Sequence, residues 1–492
     1  MAATVIDPEQ WYADYEAASA RQQHQMLLDI LTQPLSPELI EELDLGMLLV
    51  MMRDVLVNHN QLDQASELIH TLKTQQPALH QEEFAFLDNF LVEYYLYHNQ
   101  LEQVRSALQL FMSSPAEDVD QTLSILDYLK FYDAADLAIE LSRAAYAPVQ
   151  ASPNVVLGTE TEFGRVVLHG QIQQAYQQLQ QGQNVDWEAF LAEAVQYGED
   201  KKQKWVTELQ QHLTTEVAET PEFLARFKRD REEALRALSI AFSQYMLEQK
   251  QMSFVCSQAI WQAISEFLEN REIPRKKLTQ PDVYFSFTQD ELDKYLTQKI
   301  GGLLSLEQSI GIATLWGIPY AYDLLQEKQL ISDQTYEQAI DNTNALKTIL
   351  IDDYPQLWKF DFVHRWTVPD CISQETFAAE SKRFAATLEP MTPLSDEPGE
   401  GVTHQTFIDE LKQQIPPDLL AAFEELQLDE NGAFLEDEDE DEDEAPIRSS
   451  WSNPPLMKPE KPRKSALQLA AELPESNKKG AGKSTGKRKK KR

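Results

Sequence analysis

The chain has 492 residues, 42% of them hydrophobic, with only 16 glycines and a formal net charge of −38 at pH 7. This length exceeds one ordinary core and implies two or three domains, and scarce glycine with long periodic stretches favours helix over sheet. The acids of residues 436–444 and the bases of residues 478–492 cancel, so the body before residue 436 carries the acidity; that argues against body-wide binding to a phosphate backbone and for attraction to basic partners.

Residues 1–15 lack the basic and apolar regions of a secretory signal. No stretch approaches the ~18 uninterrupted apolar residues of a membrane span. The expectation is a soluble protein without a membrane partner, cytoplasmic, or nuclear in a eukaryotic host. Cys256 and Cys371 stand alone in apolar or aromatic surroundings and read as buried free thiols.

The phrase His59-Asn60-Gln61-Leu62 recurs as His98-Asn99-Gln100-Leu101, 39 residues on. The first copy is the turn between a helix over 46–58 and another over 62–74, which Pro77 closes. The second joins helices over 84–97 and 101–112. Two looser copies follow. One turns near Phe131-Tyr132-Asp133 and the other at His169-Gly170-Gln171, with second helices starting at Tyr132 and Ile172. Self-similarity at this spacing marks stacked helical hairpins, which bury a continuous core only against their neighbours. Over residues 20–215 the chain resembles the tetratricopeptide-like helical repeat proteins. The resemblance implies a right-handed helical-hairpin solenoid whose groove binds a protein or peptide. Tyr176 and Gln177 are expected to be exposed there.

Thr220-Pro221 opens a second unit with one long amphipathic helix through Tyr245. Helices follow over 254–270, 289–299, 306–326, 332–351 and 373–388, and Val283–Phe287 suits a short strand. This half shows no period. The expected organisation is all-α: a repeat domain over 1–215, a second, non-repetitive helical domain over 216–390, a linker with a helix over 407–428 in residues 391–429, and a disordered acidic-then-basic tail over 430–492.

Lys479–Lys487 carries Gly-Lys-Ser-Thr, but Asn477 stands where a phosphate loop needs its first glycine. Glu67 with His70, and Asp361 with His364, have metal-ligand spacing at no more than chance frequency. Asp352, Asp353, Asp361 and His364 lie among aromatics, so an acid–base site near Asp361 and His364 is the enzyme alternative to a capped aromatic core. Arg271 and Arg275–Lys277 read as an exposed basic loop. No catalytic residue, cofactor or metal is expected. The cations Lys487, Arg488, Lys489, Lys490, Lys491 and Arg492 form an electrostatic arm. It could pair with residues 436–444, contact nucleic acid weakly, or engage a protein. The expected role is a non-enzymatic interaction scaffold; the alternative is a nucleic-acid- or ribosome-associated factor acting through the tail.

Overall fold

The computed structural model describes residues 6–271, 279–300, 307–353, 357–388, 393–397 and 401. Among them all regular structure is helical, so the all-α expectation holds. Among the described residues no helix is long and apolar enough to cross a membrane.

Helices α1 (Pro8–Ala17), α2 (Ala20–Leu31) and α3 (Pro37–Glu42) lead in. Ser19 and Gln22 form a reciprocal capping box on α2. Three hairpins follow: α4 (Leu45–Asn58) with α5 (Leu62–Gln75), α6 (Pro77–Tyr97) with α7 (Leu101–Ser113), and α8 (Val119–Phe131) with α9 (Ala135–Ala151). Their turns share one geometry. Asn60, Asn99 and Asp133 have φ of 58°, 56° and 55°. The next amide reaches back to Leu56 O at 2.7 Å, Tyr95 O at 2.8 Å and Leu129 O at 2.9 Å. This is the Schellman closure, and Asn and Asp tolerate its left-handed residue better than other side chains. The turns fix the register: the third second helix starts at Ala135, not at Tyr132. Three residues into each second helix stand Ala65, Val104 and Ala138, all fully buried. Pro77 opens α6 at its first position instead of merely closing α5, because its missing N–H costs nothing there.

The fourth expected turn is absent. Helix α10 (Glu160–Gln180) runs unbroken through His169-Gly170-Gln171. A Cβ on Gly170 would lie 2.5 Å from Ile139 Cδ1, so this glycine admits α9 rather than reversing the chain. The reversal comes at Gly182 (φ 71°), with the Gln183 amide on Gln178 O at 2.9 Å. Helices α11 (Trp187–Gln196) and α12 (Gln203–Thr214) follow.

The long helix expected after Pro221 is two, α13 (Pro221–Arg229) and α14 (Arg231–Lys250). Asp230 leaves helical geometry and caps the Glu233 amide at 3.2 Å, ending one helix and starting the next. After α15 (Phe254–Asn270), the expected strand is helix α16 (Pro281–Phe285), begun by Pro281 at its first position. Helices α17 (Gln289–Ile300), α18 (Gln308–Glu327) and α19 (Asp333–Asp353) come next. The α18–α19 connection repeats the hairpin turn, with Gln329 at φ 57° and the Leu330 amide on Leu325 O at 2.8 Å. A 3-10 turn (Leu357–Phe360), α20 (Phe362–Arg365) and α21 (Gln374–Ala386) complete the helices.

The described residues all belong to one compact unit, and packing crosses residues 215 and 216. Helix α8 meets α15 and α18, α10 meets α15, and α12 meets α14. Phe131 lies in the core of the second half, while Val255 and Trp358 lie in the core of the first. Within the expected linker, Leu394 is buried in the first-half core, and Arg21 binds Ser395 O at 3.3 Å and Asp396 at 3.0 Å. The helix expected over 407–428 and the tail over 430–492 lie outside the described residues.

Candidate functional site

The first helices of the second and third hairpins, α6 and α8, present aromatic side chains that their own hairpins do not cover. Segment 357–366 covers much of this surface. The Trp358 ring stands edge-on to Phe90 and Tyr97, with centroids 6.0 and 5.9 Å away. Phe362 stacks on Phe131 at 5.3 Å and meets Tyr132 edge-on. Trp366 Nε1 donates to Phe131 O at 2.9 Å. The Arg365 guanidinium donates to Leu96 O at 2.8 Å and to Tyr97 O, and lies over the Tyr132 ring. A cation on the last carbonyls of α6 suits the negative end of that helix.

Beside this cover a groove of about 300 Å³ remains open between α4, α6, α8 and the start of α18. Arg53, Phe86, Asn89, Glu93, Gln121 and Lys359 line it. Phe86 is 45% exposed, unusual for a phenylalanine in a packed array. The Asn89 amide donates to Gln121 Oε1, while its buried carbonyl oxygen meets no partner. Arg53 pairs with Asp54 at 2.6 Å and donates to Phe86 O. Glu93 is buried below, 3.8 Å from Lys359 Nζ. Burial pushes its carboxyl pKa up, and the Lys359 and Arg53 charges and a Tyr128 hydrogen bond only partly oppose that. An exposed ring beside side-chain amides can seat an apolar side chain and pair with a main chain, the two requirements for holding a peptide.

Other expected residues stand elsewhere. The Asp361 carboxylate accepts from Arg365 Nε at 2.8 Å. The His364 ring packs among Trp316, Phe377 and Phe384, its two nitrogens without partners. Burial, aided by Lys347, pushes its pKa down to about 3. The structure therefore does not join Asp361 and His364 as an acid–base pair, and Asp352 pairs with Arg383. The His70 Nε2 atom is 2.6 Å from the Tyr95 hydroxyl. Among the described residues no three or more His, Cys, Asp or Glu side chains gather to hold a metal. Cys256 is buried and Cys371 half-buried, both free, and burial raises both thiol pKa values, that of Cys371 to about 12.

Two expectations of exposure fail. Tyr176 is 4% exposed, packed on Phe254 with its hydroxyl on Glu248, because unbroken α10 turns it inward; Gln177 is exposed. Arg271 is no free surface cation: its guanidinium binds the Leu268 carbonyl at 3.0 Å and those of Tyr284 and Ser286. Residues 275–277, the phosphate-loop-like 479–487 and the cations 487–492 lie outside the described residues.

Sequence reasoning missed the covering segment. A signal was present: Trp358, Phe360 and Phe362 alternate at two-residue spacing, which suits a short segment laid between two surfaces better than a helix with one apolar face. No family model matches the chain, and neither does any curated protein or any solved structure.

Proposed function

We propose that this protein is a non-enzymatic interaction scaffold, and that its hairpins form a tetratricopeptide-like right-handed solenoid that holds a partner protein in the groove beside Phe86. The observation that carries this reading is the large ring left 45% exposed over an amide-lined groove whose remaining face the chain fills with its own aromatics. An exposed apolar side chain ringed by polar groups is a common anchor for a partner side chain. The acidic body draws in a basic partner, and the groove takes an extended segment of it. Two free thiols suit a reducing compartment such as the cytoplasm.

The test is a photoreactive phenylalanine analogue at position 86 of the full chain, irradiated in native lysate with and without nuclease. The expected result is a discrete protein adduct that resists nuclease and is lost when Asn89 and Gln121 are changed to alanine. A failure to form any adduct at position 86 would sink the scaffold reading. An adduct abolished by nuclease would favour the nucleic-acid-associated alternative.

A further inference from the structure

Away from that groove, α10, α12, α14 and α15 enclose a second cleft of about 500 Å³. The volume falls within the range of small-molecule sites, roughly 300–1,000 Å³. Its floor is apolar. Ile172, Leu209, Ile240 and Phe254 are buried there, and half-buried Trp205 stands at one side with its Nε1 on Asp200 O at 2.7 Å.

The polar rim divides into paired and unpaired groups. Lys202 is held by Asp200 at 2.8 Å, and Lys204 by Glu208 at 3.2 Å. Arg236 lines the same mouth, exposed, and its guanidinium makes no ion pair or hydrogen bond among the described residues. Glu199 also faces the cleft, where burial raises its pKa against the opposing charges of Arg165 and Arg236. Deeper in lies His212, 5% exposed, whose Nε2 is enclosed and has no partner. Burial, aided by Arg226, lowers its pKa, so the imidazole is neutral at pH 7. Its Nε2 is closed off from solvent, so His212 shapes the wall of the cleft and offers no polar contact to the open space. The unpaired guanidinium at the mouth and the apolar floor are independent features of one cavity.

We propose that this cleft is a binding site for a small amphipathic acid. The apolar body of the ligand lies on Ile172, Leu209, Ile240 and Phe254. Its carboxylate or sulfonate takes the Arg236 guanidinium, whose planar fork matches such a group. The site is independent of the groove beside Phe86 and needs no macromolecular partner.

The test uses the full chain and anilinonaphthalene sulfonate, an aromatic body with one anionic group, with binding followed by calorimetry and by probe fluorescence. The expected result is one saturable site per chain. Arg236→Gln, a surface change that leaves the floor intact, is expected to weaken binding about tenfold, the loss of roughly one charge-assisted hydrogen bond. Ile240→Trp, which fills the floor, is expected to abolish it. Far-UV circular dichroism and melting temperature check that each variant folds; should Ile240→Trp not fold, Leu209→Trp, which fills the same floor, takes its place, with loss of binding expected. Absence of saturable binding to the unaltered chain overturns the proposal. So does binding that Arg236→Gln leaves unchanged, since the probe would then sit elsewhere.

Discussion

His364 shows how one residue couples the fold to pH. Its ring is enclosed by Trp316, Phe377 and Phe384, with Lys347 as the nearby charge, and its folded pKa is about 3 against an ordinary value of 6.5. The folded state refuses a proton that the unfolded chain accepts. The stability tied to this ring is therefore complete above about pH 6.5 and is lost as pH falls from there toward 3. At pH 5 the loss is about 2 kcal/mol for this group alone. His364→Phe keeps the shape and removes both orphaned nitrogens. Urea midpoints are expected to rise more at pH 5 than at pH 8; an equal change at both would show that the ring does not titrate as described. Glycines give a second contrast. A Cβ on Gly164 would lie 2.4 Å from the Tyr197 backbone oxygen, which cannot swing aside, so Gly164→Ala is expected to cost about 1–3 kcal/mol despite better helix propensity. Gly170 meets the end of the half-buried Ile139 side chain, so Gly170→Ala is expected to cost less in the same denaturation assay. Nothing near Gly170 in sequence separates a turn from a close approach. The partner that decides it, Ile139, belongs to another helix.

At the scale of elements, the hairpins α4–α5 and α6–α7 were legible because turn chemistry and helical period agree there. The same turn at Gln329 was not, because glutamine has no special claim on a left-handed residue and its helices share no period with the first half. The apolar phase continues across Asp230, so the sequence pattern there is that of one long helix. The Asp230 capping hydrogen bond predicts that Asp230→Ala lowers stability by about 1 kcal/mol. Segment 357–366 was legible as aromatic but not as a cover, since its contacts lie more than two hundred residues away in sequence. Trp358 is 1% exposed against Phe90 and Tyr97. Trp358→Ala is expected to cost about 3–5 kcal/mol and to reduce hydrogen-exchange protection in α6. A loss below about 1 kcal/mol would mean the segment merely rests on the hairpins.

For the whole molecule, composition and period revealed an all-helical acidic chain, while the joining of its halves was hidden. Residues 1–215 look self-sufficient in sequence because each hairpin is amphipathic. The aromatic faces of α6 and α8 tell otherwise, since their partners are α15, α18 and residues 357–366. Beside that burial the groove at Phe86 stays open between α4, α6, α8 and α18, so the proposed function depends on the two halves behaving as one body. Hydrogen exchange through a urea titration of the full chain measures this most directly. The account predicts that peptides from α6, α8, α15 and α18 lose protection together, at one midpoint. Protection lost at two separate midpoints, one for helices before residue 215 and one for those after, would contradict it.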